Sequence, residues 1–140
     1  MDLGLVGRRT GVPGTAAQVI LLDTNALLWL DQNHRRARPL LRDASPLAVS
    51  PATLLELHFL VEAGRIRLRS GTVRGLLDDQ RWKIDEPPSL EWFGRAAEES
   101  WTRDPFDRLI VGHARFRRWR LATGDGPVLD QLRPSERLAL

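Results

Sequence analysis

Hydrophobic positions along the chain fall into short apolar runs separated by longer segments with helical periodicity. Four short runs have the length and composition of strands, at 18–23, 47–50, 82–85 and 120–123, and the first of them is typical of a strand buried on both faces of a parallel sheet. The intervening segments favour helices, at 26–30 and 35–42, 50–64, 72–80, 90–100 and 104–119. This alternation predicts an α/β domain, in which helices cover both faces of a short central parallel sheet.

The predicted domain covers residues 18–132, and the segment 125–132 forms a short turn or helix at its end. Residues 1–17 contain Arg8-Arg9 but no apolar stretch, so we expect a flexible leader rather than a secretory signal. We expect residues 133–140 to form a short, loose tail outside the domain. The helix after the second strand has marked ends, with Ser50 as its N-cap, Pro51 at its first position and Gly64 just beyond it.

Composition excludes several classes of protein. The 140 residues include no cysteine, which rules out disulfides, thiolate metal sites and cysteine catalysis. No apolar run approaches the ~20 residues of a membrane span, so we expect a soluble, cytoplasmic protein. The net charge is +3, and Lys83 is the only lysine among 21 basic residues. Arginine suits phosphate binding, but a coding bias yields the same composition, so the charge is compatible with nucleic acid without indicating it.

Polar residues follow three of the predicted strands. Asp23, Ser50 and Thr123 come directly after apolar positions, and Asp125 lies just beyond Thr123. Ligands of open parallel sheets gather at the carboxyl ends of the strands, so these side chains are expected to converge on one edge. Three of them also have a simpler interpretation, since Asp23 and Ser50 can cap helices and Asp125 can occupy a turn.

Three further acidic residues lie on predicted helices. Glu56 is on an apolar flank of its helix, away from the His58–Glu62 pair, where a carboxylate needs a cation, a partner or a raised pKa unless the flank is exposed. Asp104 and Asp107 bracket Pro105-Phe106 as an N-cap and a first-turn acid. A helix N-terminus keeps carboxylates ionised, which a hard metal ion requires.

Four segments resemble, in order and spacing, the four acidic motifs of PIN-domain ribonucleases, and most closely those of VapC-type toxins. They are Val-Ile-Leu-Leu-Asp-Thr-Asn-Ala-Leu-Leu-Trp (19–29), Ser-Pro-Ala-Thr-Leu-Leu-Glu-Leu (50–57), Arg-Asp-Pro-Phe-Asp-Arg-Leu-Ile-Val (103–111) and Leu-Ala-Thr-Gly-Asp (121–125). The resemblance covers 19–132, and the Asp-Pro-Phe-Asp-Arg block is its most specific part. Thr102 departs from the pattern, because close relatives often carry histidine before Arg-Asp-Pro.

The resemblance implies a PIN-like three-layer α/β/α fold and a metal-dependent endoribonuclease. By position, the family's acidic site falls on Asp23, Glu56, Asp107 and Asp125, with Asp104 as an additional ligand. We expect Mg²⁺, with Mn²⁺ as a substitute, because Mg²⁺ prefers carboxylate oxygens and phosphate. Asp23 and Asp107 are assigned as the principal ligands. The other acidic residues complete the site, orient water or hold a second ion.

A further set of residues is expected around the metal ligands. Hydroxyl side chains at the strand ends are expected to bond the carboxylates or water; they belong to Thr24, Ser50 and Thr123, although capping is the simpler role for Ser50. Arg103 and Arg108 flank the aspartate pair, where contact with phosphate and pairing with the aspartates are both open.

The resemblance also implies partners. They are an RNA substrate, a VapB-type antitoxin that inserts a segment near the acidic site, and a second copy of the chain in a homodimer, with no membrane. Apolar helices around Trp29-Leu30 and Leu57–Val61 are candidate docking surfaces, although core burial accounts for most of them. The alternative is a non-catalytic PIN-fold protein that binds RNA or a protein partner.

Overall fold

The structure, a computed structural model, describes residues 18–140, so the leader predicted for residues 1–17 lies outside the described part of the chain. Strands and helices alternate along it, with 3₁₀ turns at Arg35–Ala37 and Pro134–Glu136. The strands are β1 (Ile20–Leu22), β2 (Leu47–Val49), β3 (Trp82–Ile84), β4 (Arg120–Thr123) and β5 (Arg137–Ala139). The helices are α1 (Thr24–Asp31), α2 (Arg38–Arg42), α3 (Pro51–Glu62), α4 (Val73–Leu76), α5 (Ser89–Glu98), α6 (Pro105–Arg117) and α7 (Gly126–Gln131).

The five strands form one parallel sheet in the order β3-β2-β1-β4-β5. Strand β1 lies at the centre, where Leu21 is in register with Ala48 of β2 and Leu121 of β4. All three residues of β1 are fully buried, as expected of a strand that is covered on both faces. The predicted α/β/α architecture with a short parallel sheet is confirmed.

Alternation along the strands divides the core into two parts. Ile20 and Leu22 of β1 pack on one face with α1, α2 and Leu57 of α3, whereas Leu21 packs on the other face with Trp92 of α5 and Val111 of α6. Within residues 18–140, the helices are all too short or too polar to cross a lipid bilayer.

Helix α3 has the ends that its sequence predicts. The Ser50 hydroxyl oxygen accepts a hydrogen bond from the Ala52 amide at 3.2 Å, and Pro51 occupies the first helical position. Gly64 follows the helix with φ of +70°, a conformation that glycine adopts without steric cost.

The helix predicted over 72–80 is wrong in extent, because only Val73–Leu76 is α-helical. Thr72 caps this turn by accepting a hydrogen bond from the Gly75 amide. Further on, the Asp79 carboxylate accepts from the backbone and the side chain of Arg81. Such local bonds compete with helix formation, so the segment turns into β3 instead of extending.

The loose tail predicted for residues 133–140 is also wrong, because β5 completes the sheet. Leu121 of β4 is in register with Arg137, and the Leu140 amide donates to the Thr123 carbonyl at 3.0 Å. The Arg137 guanidinium donates to the carbonyls of Leu129 and Leu132 at 2.8 and 2.9 Å. The unpaired edge of β4 provides hydrogen-bonding groups that the last strand satisfies.

Helices α5 and α6 pack closely at Gly112, where an added Cβ would lie 2.7 Å from the Ala96 backbone nitrogen. We therefore expect Gly112→Ala to lower the free energy of unfolding by about 1–3 kcal/mol through overpacking. Gly94→Ala is the matched control, because that exposed position in α5 has no atom within 4 Å of an added Cβ. It should raise stability by about 0.5–1 kcal/mol. Urea denaturation of both variants tests the packing, and equal effects would contradict it.

Candidate functional site

A pocket of about 280 Å³ opens at the carboxyl edge of the sheet, between α1, α3, α6 and α7. All five acidic residues predicted for the site line it, and no Lys, Arg or His among the described residues does so. The lining comprises Asp23, Thr24, Asn25, Glu56, Leu60, Asp104, Asp107, Ile110, Val111, Leu121, Asp125 and Val128.

Three of the carboxylates also cap the helices that begin at this edge. Asp23 Oδ1 accepts from the Ala26 amide of α1 at 2.8 Å, and Asp125 Oδ1 accepts from the Val128 amide of α7 at 3.0 Å. Asp104 Oδ1 accepts from two amides at the start of α6, at 2.8 and 3.0 Å. Capping and a place in the pocket are therefore compatible, because the cap bonds fix each carboxylate at the pocket wall.

Two of the three hydroxyl residues predicted to support the site contact its carboxylates. The Thr24 hydroxyl donates to Glu56 Oε1 and so joins α1 to α3. Thr123 bonds the Asp23 carboxylate through its side chain, and its oxygen accepts from the Asp125 amide at 3.1 Å. One threonine at the end of β4 thus positions two acidic residues that are far apart in sequence.

Burial and mutual repulsion raise the pKa of the pocket acids. Burial is the main reason that the pKa of Asp23 rises to about 6, with smaller contributions from the charges of Asp125 and Glu56. The pKa of Asp107 rises to about 7, first through burial and then through the charges of Asp104 and the other pocket acids. Burial also raises the pKa of Glu56, although its bond with Thr24 opposes the change.

Besides Thr123, which bonds the acids from behind, three residues predicted near the site lie outside the lining of the pocket. Ser50 is buried as the cap of α3, which was its simpler interpretation. Arg108 neither pairs with the aspartates nor faces the pocket, because its Nε donates to the Thr102 carbonyl at 2.7 Å and fixes the loop before α6. Arg103 is exposed beside Asp104.

Sequence reasoning did not identify Asn25 and Leu60 as residues of the pocket. Asn25 directly follows the Asp23-Thr24 pair, so its position next to a predicted ligand could have identified it. Leu60 is four residues beyond Glu56, a spacing that places both on one face of α3.

The carboxylate oxygens of the pocket are suitable ligands for a hydrated hard cation. Oxygen ligands are what Mg²⁺ prefers, and a divalent ion offsets the repulsion among the carboxylates. Within residues 18–140, no three His, Asp or Glu side chains are placed to hold one metal ion together. A cation that keeps several waters and takes one or two carboxylates directly fits this arrangement better than a closed cage of protein ligands.

The fold and the site place this protein in the class of α/β proteins with an acidic pocket at the carboxyl edge of a five-stranded parallel sheet. Comparison with known proteins identifies the family. The chain belongs to the PIN-domain family, whose model matches residues 20–130. It is 31% identical over 112 residues to Ribonuclease VapC22 of Mycobacterium tuberculosis, an alignment that covers 76% of this chain and 86% of that protein.

Two solved structures share the fold. A toxin-antitoxin complex from Klebsiella pneumoniae matches with a TM-score of 0.63 and 19% identity, over 86% of this chain and 96% of that one. VapBC2 from Rickettsia felis, bound to a promoter DNA fragment, matches with a TM-score of 0.60 and 19% identity, over 86% and 98%. The family model and the curated relative confirm the family predicted from the four acidic motifs.

The raised pKa values have a consequence for stability. A carboxyl whose folded pKa lies above its unfolded value destabilises the fold as pH rises, here between about 4 and 7. We therefore expect Asp107→Asn to raise the free energy of unfolding at pH 8 in EDTA by about 1–2 kcal/mol, a value reduced for solvent exposure, and to change it little at pH 4.

Urea denaturation at the two pH values measures this difference. Asp130→Asn, which removes an exposed charge outside the pocket, should change stability by less than about 0.5 kcal/mol at either pH. A destabilised Asp107→Asn at pH 8 would show that the pocket acids do not repel one another.

Proposed function

We propose that this chain is a Mg²⁺-dependent endoribonuclease that hydrolyses RNA phosphodiesters, and that it is the toxin of a type II toxin–antitoxin pair in the cytoplasm. The observation that carries this proposal is the acidic pocket. Asp23, Glu56, Asp107 and Asp125 come from four separate segments, yet they line one cavity without a basic side chain from the described residues. An acidic pocket of this kind suits a metal-assisted nuclease.

The relatives support the same activity. The curated relative is named a ribonuclease, and the two solved structures are described as a toxin-antitoxin complex and as VapBC2. Because the two structures share 19% identity with this chain, they support the fold, and the antitoxin partner is part of our proposal.

The residues have distinct proposed roles. Asp23 and Asp107 would hold the cation, with Asp104 beside them at the start of α6. Glu56, which Thr24 orients, and Asp125 would position the attacking water or hold a second ion. Mg²⁺, or Mn²⁺ in its place, would polarise the phosphoryl oxygen and activate water when bound.

Substrate contacts follow from what surrounds the pocket. Arg103 is exposed next to Asp104, so it remains our candidate for contacting the RNA phosphate. Arg108 is no longer one, because its guanidinium donates to the carbonyls of Thr102 in the loop before α6 and of Ala97 in α5.

A protein partner would bind beside the pocket on α3. Leu55 and Phe59 are each 49% exposed, and Phe59 makes an edge contact with Phe106 of α6. Leu30 and Leu57, from the predicted docking helices, are instead buried in the core. We propose that Leu55 and Phe59 contribute to antitoxin docking, and that the chain forms a homodimer.

The decisive experiment is cleavage of a mixed RNA panel by purified protein with Mg²⁺, with Mn²⁺ and with EDTA. We expect cleavage that requires the metal and that Asp23→Asn lowers by about 100-fold or more, because a principal ligand is lost. Asp130→Asn, which removes an exposed charge outside the pocket, should retain activity. Intact RNA in every condition, from folded and antitoxin-free protein, would favour the non-catalytic binding protein.

Co-expression with the small gene beside this one should yield a stable complex. Replacing both Leu55 and Phe59 with serine should weaken co-purification, because burial of both side chains drives the contact. Leu77→Ser is the control, since Leu77 is 50% exposed and lies outside α3. Failure of the unmodified chain to co-purify would count against the toxin assignment.

A further inference from the structure

A second pocket, of about 490 Å³, lies at the opposite end of α6 from the acidic one. Four of the nine residues that line it are arginines, and one is acidic. The lining comprises Arg95, Ala114, Arg115, Arg118, Trp119, Leu132, Arg133, Ser135 and Glu136. We refer to it as the basic pocket, and no residue of the acidic site belongs to it.

One of the four arginines holds the pocket together. Arg115 Nη2 donates to the Gln131 carbonyl at 2.8 Å, and its guanidinium approaches Glu99 and Glu136 at 3.0 and 3.5 Å. These contacts join α6 to the end of α5, to the end of α7 and to the 3₁₀ turn that follows α7. Arg115 is therefore neutralised and has a structural role.

The other three arginines give the pocket its charge. Among residues 18–140, neither Arg95 nor Arg118 forms an ion pair, and both are exposed. Arg133 approaches Glu136 at 3.4 Å, but its side chain is 79% exposed and the pair is weak. Three guanidinium groups can thus approach an anion that enters the pocket.

Arg118 occupies a backbone conformation that favours glycine. It ends α6 with φ of +59° and ψ of +41°, the left-handed region that is unfavourable for side chains with a Cβ. Replacing it with glycine therefore removes the side chain while relieving backbone strain, so the variant separates binding from folding.

The floor of the pocket is apolar. Ala114 and Leu132 are buried there, and Trp119 is partly buried beside them. Arginines above an apolar and aromatic floor match a nucleotide unit, with its phosphate on the guanidinium groups and its base against the floor.

Both pockets are lined by residues of α6, and the helix sets the distance between those residues. Eleven helical positions separate Asp107 from Arg118, which corresponds to about 16 Å along α6. This is on the order of five stacked nucleotides at roughly 3.4 Å each.

We propose that the basic pocket binds a phosphodiester of the same RNA strand whose scissile bond lies in the acidic pocket, several nucleotides away. This inference rests on the proposed ribonuclease function and adds a second contact with the substrate. It makes binding depend on the length of the RNA, because a very short strand reaches only one pocket.

The test measures RNA binding by fluorescence anisotropy in the Asp23→Asn background, where cleavage is blocked. Labelled RNAs of about 3 and about 12 nucleotides bracket the distance between the pockets. Arg118→Gly should weaken binding of the longer RNA by about tenfold and remove most of the difference in affinity between the longer and the shorter RNA. It should also reduce the slope of log affinity against log salt by about 0.7, the loss of one phosphate contact on a single strand.

Two controls keep the result specific. Arg74→Gln removes an exposed arginine from α4, on the other face of the sheet, and should change neither RNA. Arg118→Gly should raise the urea midpoint of unfolding, which shows that the variant is folded. Arg95→Gln is a second variant, which should reproduce the binding defect without altering the end of α6.

Equal effects on both RNAs, or none on either, would overturn the proposal. Binding of adenosine monophosphate or inorganic phosphate that Arg118→Gly abolishes, with the longer RNA unaffected, would overturn it in favour of a small-anion site. Mg²⁺-dependent cleavage of short RNA by the unmodified chain tests the proposed function separately. If that cleavage is absent but RNA affinity still depends on RNA length, the proposed nuclease function is rejected and the basic pocket stands as a binding site for RNA.

Discussion

Repulsion among carboxylates in one pocket is the constraint that the surrounding structure must satisfy. Burial and neighbouring charges raise the pKa of Asp23, Glu56 and Asp107, so the fold is destabilised when these groups ionise together. The protein tolerates this because cap and threonine hydrogen bonds hold several of the acids in place. A bound cation would meet oxygen ligands that are already oriented. Because it would relieve the repulsion that destabilises the metal-free fold, cation binding would raise the free energy of unfolding.

The parallel sheet determines where most of those hydrogen bonds form. Because every strand runs in the same direction, the helices that follow β1, β2 and β4 begin at one edge and present unpaired amides there. A carboxylate at such a position satisfies the amides and is stabilised by the helix dipole. Asp23 and Asp125 therefore serve the local structure and the pocket together. The same fold leaves the opposite end of α6 to arginines, where the helix dipole favours positive charge.

The sequence predicted the acidic edge because its signals are local. Asp23 and Asp125 follow apolar strands, and Asp104 precedes a proline that starts a helix, so their positions depend on neighbours in the chain. The strand β5 depends on distant groups instead, whereas α4 is short because local bonds of Thr72 and Asp79 compete with helix formation. Residues 137–139 pair with an edge of β4 that no local pattern reveals. Arg108 was misjudged for a related reason, since the carbonyls that it binds, at Thr102 in the loop before α6 and at Ala97 in α5, are brought to it by the packing of α5 on α6.

The central pairing of β1 with β4 bears on how the protein folds. Leu21 lies beside Leu121, which comes about one hundred positions later in the chain, and the acids at 23 and 125 follow these two strands. Contacts between such distant residues carry a large loop-closure entropy and slow the folding of a domain. Partly folded chains consequently keep the acids of the first and last motifs apart. The acidic pocket is thus complete only in chains in which β4 has paired with β1.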